Sequence, residues 1–123
     1  MTKRDFTDLK IWQLADEIFD MFLKDFTRFP KNRIALSLAD QAFRSIGSIS
    51  ANIAEGFGRG GDKELHRSLI IARGEIYESR NWLIKINKMG LITKERNDQY
   101  DQKFLYLSKM ITLFLGEVRK RLK

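Results

Sequence analysis

With a single histidine, no cysteine and eleven arginines among 123 residues, the chain has few chemistries open to it. The absence of cysteine removes disulfides, thiolate nucleophiles and cysteine-ligated zinc or iron–sulfur centres. His66 alone cannot build a multi-histidine metal site, and the Glu-x-x-His pairs of di-metal helical bundles do not occur. No serine or threonine has a second histidine to activate it, and no carboxylate pair is marked out by an apolar pocket. Nucleophilic and general acid–base catalysis therefore lack their minimum equipment. The expectation is no enzyme, no metal and no cofactor.

Two motifs come nearest to catalysis or ligand capture. Arg59 and His66 have six residues between them, which fits the Arg-x(4–6)-His spacing of a family of helical-bundle ribonucleases whose pair handles RNA phosphate chemistry. With this many arginines and three permitted spacings, such a pair arises by chance about a quarter of the time, so a solvated His66 is the plainer expectation. Gly56-Phe57-Gly58-Arg59-Gly60-Gly61 has the glycine content of a phosphate-cradling loop. Yet no Gly-Lys-Ser/Thr follows, no strand precedes, and Asp62 would repel an anion at the next helix start. A flexible turn between helices is the expected role.

Binding is better provided for than catalysis. Net charge is +7, divided as nine Lys/Arg against eight Asp/Glu in residues 1–61 and fourteen against eight in residues 62–123. Such an excess favours RNA or DNA, because neutralising phosphates releases counterions; solubility alone would also be served by it. The candidate phosphate contacts are Arg67, Arg73, Arg80 and Lys88, then Lys103, Lys109, Arg119, Lys120, Arg121 and Lys123. A second polar set, Gln41, Arg44, Ser48, Asn52 and Glu55, recurs at steps of three and four and so shares one helix face. Its expected role is a structural hydrogen-bond network, with Glu55, opposed by the dipole in a last turn, paired to Arg59 or Arg73. The alternative is a solvated face of mixed sign.

These side chains need rigid carriers, and four amphipathic segments supply them. From about Asp8 to Thr27, Leu9, Trp12, Ala15, Phe19, Phe22 and Phe26 form one stripe, widened by Ile11, Leu14, Ile18 and Met21. Pro30 stops that helix and Asn32 offers the next N-cap. From Arg33 to Glu55, Leu38, Ala42, Ile46, Ile49, Ile53 and Ala54 face inward, small residues including Ala35, Ala39, Ser45, Gly47 and Ala51 permit close approach, and Gly56 suits the left-handed terminator. Asp62 reads as the N-cap of a third helix running to about Met89 on Leu65, Leu69, Ala72, Ile76, Leu83 and Ile86, ended by Gly90. Thr93 caps a fourth, in which Tyr100, Phe104, Leu107, Ile111, Phe114, Val118 and Leu122 approach a coiled-coil seam.

Four such helices with short connections and no strand pattern predict an all-α, antiparallel up-and-down four-helix bundle, one domain over residues 1–123. Ile70, Ile71, Leu105, Met110, Leu113 and Leu115 lie beside the main stripes, and this apolar surplus on the third and fourth helices predicts a subunit interface. The start is charged and lacks an apolar signal core, and no apolar run approaches the roughly 20 residues that span a bilayer. The expected location is the cytoplasm, with no membrane contact.

Gln41-Ala42-Phe43-Arg44-Ser45-Ile46-Gly47-Ser48-Ile49-Ser50-Ala51-Asn52-Ile53-Ala54-Glu55-Gly56 resembles the Gln-x-x-Arg…Ser-Ile-x-x-Asn-Ile-Ala-Glu-Gly signature of the four-helix-bundle proteins encoded in intervening sequences of bacterial 23S ribosomal RNA genes. Leu9-Lys10-Ile11-Trp12-Gln13-Leu14-Ala15, Ile71-Ala72-Arg73-Gly74 and Gly90-Leu91-Ile92 extend the resemblance over nearly the whole chain. Phe43 stands where that family often has a second arginine, Ser50 where proline is common, and Glu75 where serine often follows the glycine. The resemblance implies a ring-shaped homo-oligomer, a pentamer, and kinship with the accessory variability proteins of diversity-generating retroelements, which bind nucleic acid and a reverse transcriptase. The combined expectation is a non-catalytic homo-oligomer binding RNA, DNA or a nucleic-acid enzyme through its third and fourth helices. Its alternatives are a pure scaffold and, remotely, an Arg59/His66 ribonuclease.

Overall fold

A computed structural model describes residues 5–122. Within them a 3-10 turn at Phe6–Asp8 leads into α1 (Lys10–Phe26), α2 (Arg33–Gly58), α3 (Asp62–Lys88) and α4 (Lys94–Arg121). Each helix packs on its sequence neighbours and α1 closes on α4, so the four form a square. Cross-helix pairs run in opposite senses along neighbours: Asp62–Arg121, Arg73–Thr112 and Arg80–Asp101 join α3 to α4. This is the antiparallel four-helix bundle, and no strand occurs among the described residues. No helix in that span is long and apolar enough to cross a membrane.

Local chemistry sets the boundaries. Asn32 Oδ1 accepts from the Ala35 N–H at 2.9 Å and Thr93 Oγ1 from the Arg96 N–H at 3.0 Å, each satisfying a donor left open at a helix start. Gly90, at φ +74°, takes the left-handed conformation that ends α3. Two expectations fail. Gly56 does not terminate α2, which continues to Gly58, and the left-handed glycine is Gly60 at φ +80°. Asp62 does not cap α3 either: Gly61 does, and Asp62 lies in the first turn, bound to Arg121.

The reason Gly56 stays inside α2 is its neighbour. A Cβ built on it would sit 2.5 Å from Ser68 Cβ, so α2 and α3 approach at a distance only hydrogen allows. Farther along the same seam Ser79 Oγ donates to Ser45 Oγ at 2.9 Å, a buried polar pair that satisfies itself between the helices. Ala35, Ala39, Ala42 and Ala72 are also buried, and Ile46, Ile49, Ile53, Leu69, Ile76, Leu83 and Ile86 fill the core behind them. In α4 the buried stripe passes through Leu115, whereas Phe114 is half-buried and Leu122 exposed. Val118 is buried as expected, so the stripe differs from the expected seam at one inner position and at the helix end.

Between α1 and α4 the bundle is closed by a polar latch. Arg96 Nε and Nη2 donate to the two oxygens of Asp25 at 2.8 and 3.1 Å, and the hydroxyl of the fully buried Tyr100 donates to Asp25 Oδ2 at 2.6 Å. The Arg96 guanidinium also lies 5.5 Å from the Tyr100 ring centroid. Burial pushes the Asp25 carboxyl up, but the bonds from Arg96 and Tyr100 and the charges of Arg96 and Arg28 outweigh it and hold the group below its usual 3.8. For Tyr100 burial comes first and the bond to Asp25 second, and both push its hydroxyl pKa up.

The close approach makes Gly56→Ala costly, by about 1–3 kcal/mol. Gly74→Ala, where an added Cβ meets nothing within 4 Å, gains about 0.5–1 kcal/mol; urea unfolding of the two variants checks both signs. Because Asp25 is depressed in the folded state, its contribution is complete above 3.8 and is lost as pH falls through the lower folded value. Unfolding midpoints of the wild type and Asp25→Asn should therefore differ at neutral pH and converge below pH 3.8. A constant gap across that range would refute the latch.

Candidate functional site

The flank of α3 that faces α4 carries an apolar seam open to solvent. Ile70, Tyr77 and Ile84, spaced by seven, are 44%, 52% and 43% exposed, and Leu105 on α4 is 43% exposed. Seven residues return to almost the same side of a helix, so the three line up along its length. Of the expected surplus, Ile70, Ile71, Leu105 and Leu113 are exposed, Met110 is half-buried, and Leu115 belongs to the core. Tyr77 and Ile84 belong to the surface set although the sequence reading passed over them.

The ten basic candidates divide by partner. Arg80 forks onto Asp101 at 2.7 and 3.2 Å, its pKa raised first by that bond, and stacks 5.2 Å over the Tyr77 ring. Arg121 forks onto Asp62 at 3.1 Å through both nitrogens, and Lys103 reaches Glu17 of α1 at 3.0 Å. Arg73 donates to Thr112 Oγ1 at 3.1 Å. Arg67 and Lys120 approach Glu64 and Glu117 of their own helices at 4.0 and 3.7 Å. Such exposed pairs contribute little and exchange readily for a phosphate. Lys88, Lys109 and Arg119 are exposed with no carboxylate partner among the described residues. Lys123 lies outside the described residues. The structure thus does not gather the ten into one surface: Arg80 and Arg121 tie α3 to α4, and Lys103 ties α4 to α1.

The polar row on α2 does not form the expected network. Gln41, Arg44 and Glu55 are exposed and Ser48 and Asn52 half-buried. Ser48 Oγ donates to the Arg44 carbonyl at 2.7 Å, Asn52 Nδ2 to the Ser48 carbonyl at 2.8 Å, and Arg44 Nε to Asp40 at 3.0 Å. Every one of these bonds stays within α2. Glu55 does find Arg59, at 3.9 Å. Ser48 and Asn52 are satisfied by their own helix, since four-residue spacing brings a side chain to its own backbone before any neighbour. On α3, burial and then the charge of Glu78 push the Glu75 carboxyl up.

The glycine tract borders an open hollow of about 870 Å³. Asp5 and Asp62 both line it, so its field opposes an anion. Arg59 points to Glu55, whereas the Nε2 atom of His66 is buried with no hydrogen-bond partner. Among the described residues no three histidine or carboxylate side chains gather as metal ligands. The polar cluster that sequence reasoning missed is the Asp25–Arg96–Tyr100 latch, which holds α1 to α4. Its one available signal was Tyr100 within an apolar stripe, because a buried phenol demands an acceptor.

Comparison with known proteins places this architecture. The family model described as 23S rRNA-intervening sequence protein matches residues 7–113. A crystal structure of a protein with unknown function from the S23 ribosomal protein family, from Bacteroides thetaiotaomicron, superposes with a TM-score of 0.77 at 20% identity, covering 85% of this chain and 97% of that one. At that identity the likeness bears on the fold alone. A comparison with curated proteins finds no match.

Proposed function

This chain belongs to the 23S rRNA-intervening sequence protein family, and we propose that it is a non-catalytic module that assembles with copies of itself and binds nucleic acid on the assembled surface. The observation that carries the reading is the Ile70–Tyr77–Ile84 seam with Leu105, about half exposed along one flank of α3, with Lys88, Lys109 and Arg119, which have no carboxylate partner among the described residues, on the same two helices. An apolar row of this length costs free energy while it faces water, and association with another subunit removes that cost. A closed ring, five copies as the family resemblance implies, repeats each cation around its axis. Repetition turns weak phosphate contacts into appreciable avidity. A reverse transcriptase or another nucleic-acid enzyme would be a partner of the same surface.

A second reading, a scaffold that binds no nucleic acid, is favoured by the carboxylates already held by Arg80, Arg121 and Lys103. The Arg59/His66 ribonuclease is disfavoured, because the Nε2 atom of His66 is buried, away from a substrate phosphate.

Light scattering should give an oligomer, and Ile70→Glu with Tyr77→Glu should reduce it to a folded monomer. Fluorescence anisotropy with labelled RNA and DNA should show affinity that falls with salt. Replacing Lys88, Lys109 and Arg119 by glutamine should flatten that slope by about 0.9 for each phosphate that is no longer neutralised. A wild-type monomer would sink the assembly, and an oligomer indifferent to both nucleic acids would establish the scaffold.

A further inference from the structure

On the other flank of α3, toward α2, the C-terminal end of α3 meets the start of α2 around an open hollow of about 740 Å³. Its floor is apolar, made by Leu38, Trp82, Ile34 and Met89, the last two 58% and 54% exposed. Its rim is basic, made by Arg33, Lys85 and Lys88, and none of these has a carboxylate partner among the described residues. We propose that this corner docks an acidic, amphipathic segment of a partner protein, with an apolar side chain in the hollow and flanking carboxylates on the three cations. It goes beyond the assembly reading, whose apolar seam lies on the α4 side, and shares only Lys88 with the cations named there.

Charge complementarity identifies the occupant. Arg33 occupies the first turn of α2, where the helix dipole disfavours a cation, and that turn contains no acidic residue. The N-terminal end of α2, with its open N–H groups, therefore adds to the positive field of Arg33 instead of being offset by it. Lys85 and Lys88 offset the opposite pole of α3, whose last turn they occupy. An incoming carboxylate relieves the one unfavourable arrangement and pairs with the other two charges, while burial of Ile34 and Met89 supplies the non-directional part of the affinity.

A nucleic acid fits the corner less well. Ile34, Leu38 and Met89 offer aliphatic surface, not a plane on which a base stacks, and the Trp82 ring packs against the core with its N–H given to Glu78 at 3.3 Å. A second copy of the chain is a poor source of the acidic segment, since its own net charge is +7.

The test uses a fluorescein-labelled peptide with leucines along one helical face and glutamates elsewhere, a counterpart with lysines for glutamates, and oligouridylate. The glutamate peptide should bind the full-length protein and the lysine peptide should not. Ile34→Ser with Met89→Ser, and separately Arg33→Glu with Lys85→Glu, should each weaken binding about tenfold, with circular dichroism and oligomer mass unchanged. All four positions are exposed, so folding is expected to survive. The proposal is overturned if the glutamate peptide fails to bind or the lysine peptide binds equally. Oligouridylate binding that needs Arg33 and Lys85 but not Ile34 and Met89 would reassign the corner to nucleic acid, and dissociation of the oligomer by Ile34→Ser with Met89→Ser would reassign it to self-contact. Both results leave the seam on the α4 side to be judged by its own variants.

Discussion

The contact of α2 with α3 at the distance set by Gly56 and Ser68 governs the geometry of the whole bundle. Helices packed through bulky side chains can slide or rotate slightly, because long side chains repack. A glycine facing a serine Cβ leaves no such slack, and the buried Ser45–Ser79 hydrogen bond adds a direction to the distance. With that pair of helices fixed, α3 presents its other flank to α4, and the cross-helix pairs of Arg73 and Arg80 fall into register. The apolar seam on α3 and the basic hollow at its end are both set by this rotation. Turning α3 inward far enough to bury Tyr77 would expose part of the Leu69–Ile76–Leu83 row.

The outer pair, α1 with its neighbours, is held by larger and less specific contacts. Phe43 meets Phe19, Phe22 and Phe26 at ring-centroid distances of 5.6, 4.8 and 5.2 Å, a cluster of tilted and edge-on rings. Phe43 is half-buried and contributes packing, not charge. Electrostatics shows the same division of labour elsewhere. Arg80, Arg96 and Arg121 hold helices together through forked carboxylate bonds, so total positive charge overstates what is free to meet a partner. Reach and pairing decide which cations are available, and neither can be read from a count.

Much of the architecture was legible in the residues. Spacing of apolar side chains gave four helices, and Asn32, Thr93 and Gly90 mark ends by local chemistry that needs no partner from elsewhere in the chain. The family signature on α2 agreed with the family match, and the apolar surplus on α3 and α4 corresponds in part to a real exposed seam. What was not legible depends on contacts between helices. Gly56 looks like a terminator until Ser68 is seen against it, and Leu115 takes the buried place expected of its neighbour Phe114, which is half-buried against the core. Asp25 looks like any exposed acid on α1 until Arg96 and Tyr100 arrive from α4. The row from Gln41 to Glu55 failed as a network because its spacing brings each group to its own helix first.

The latch also bears on the order in which the chain can come together. Neighbouring helices meet across short connections, so the entropy of closing those loops is small and their hairpins can form locally. Asp25 and Tyr100 are 75 residues apart, and joining them closes a loop that contains the whole of α2 and α3. That closure gains little until α2 and α3 already hold α1 and α4 within reach. Route and architecture thus coincide, with a slack-free central pair as the template and a charged clasp that shuts last, so opening of the native bundle is expected to begin at the seam between its first and last helices.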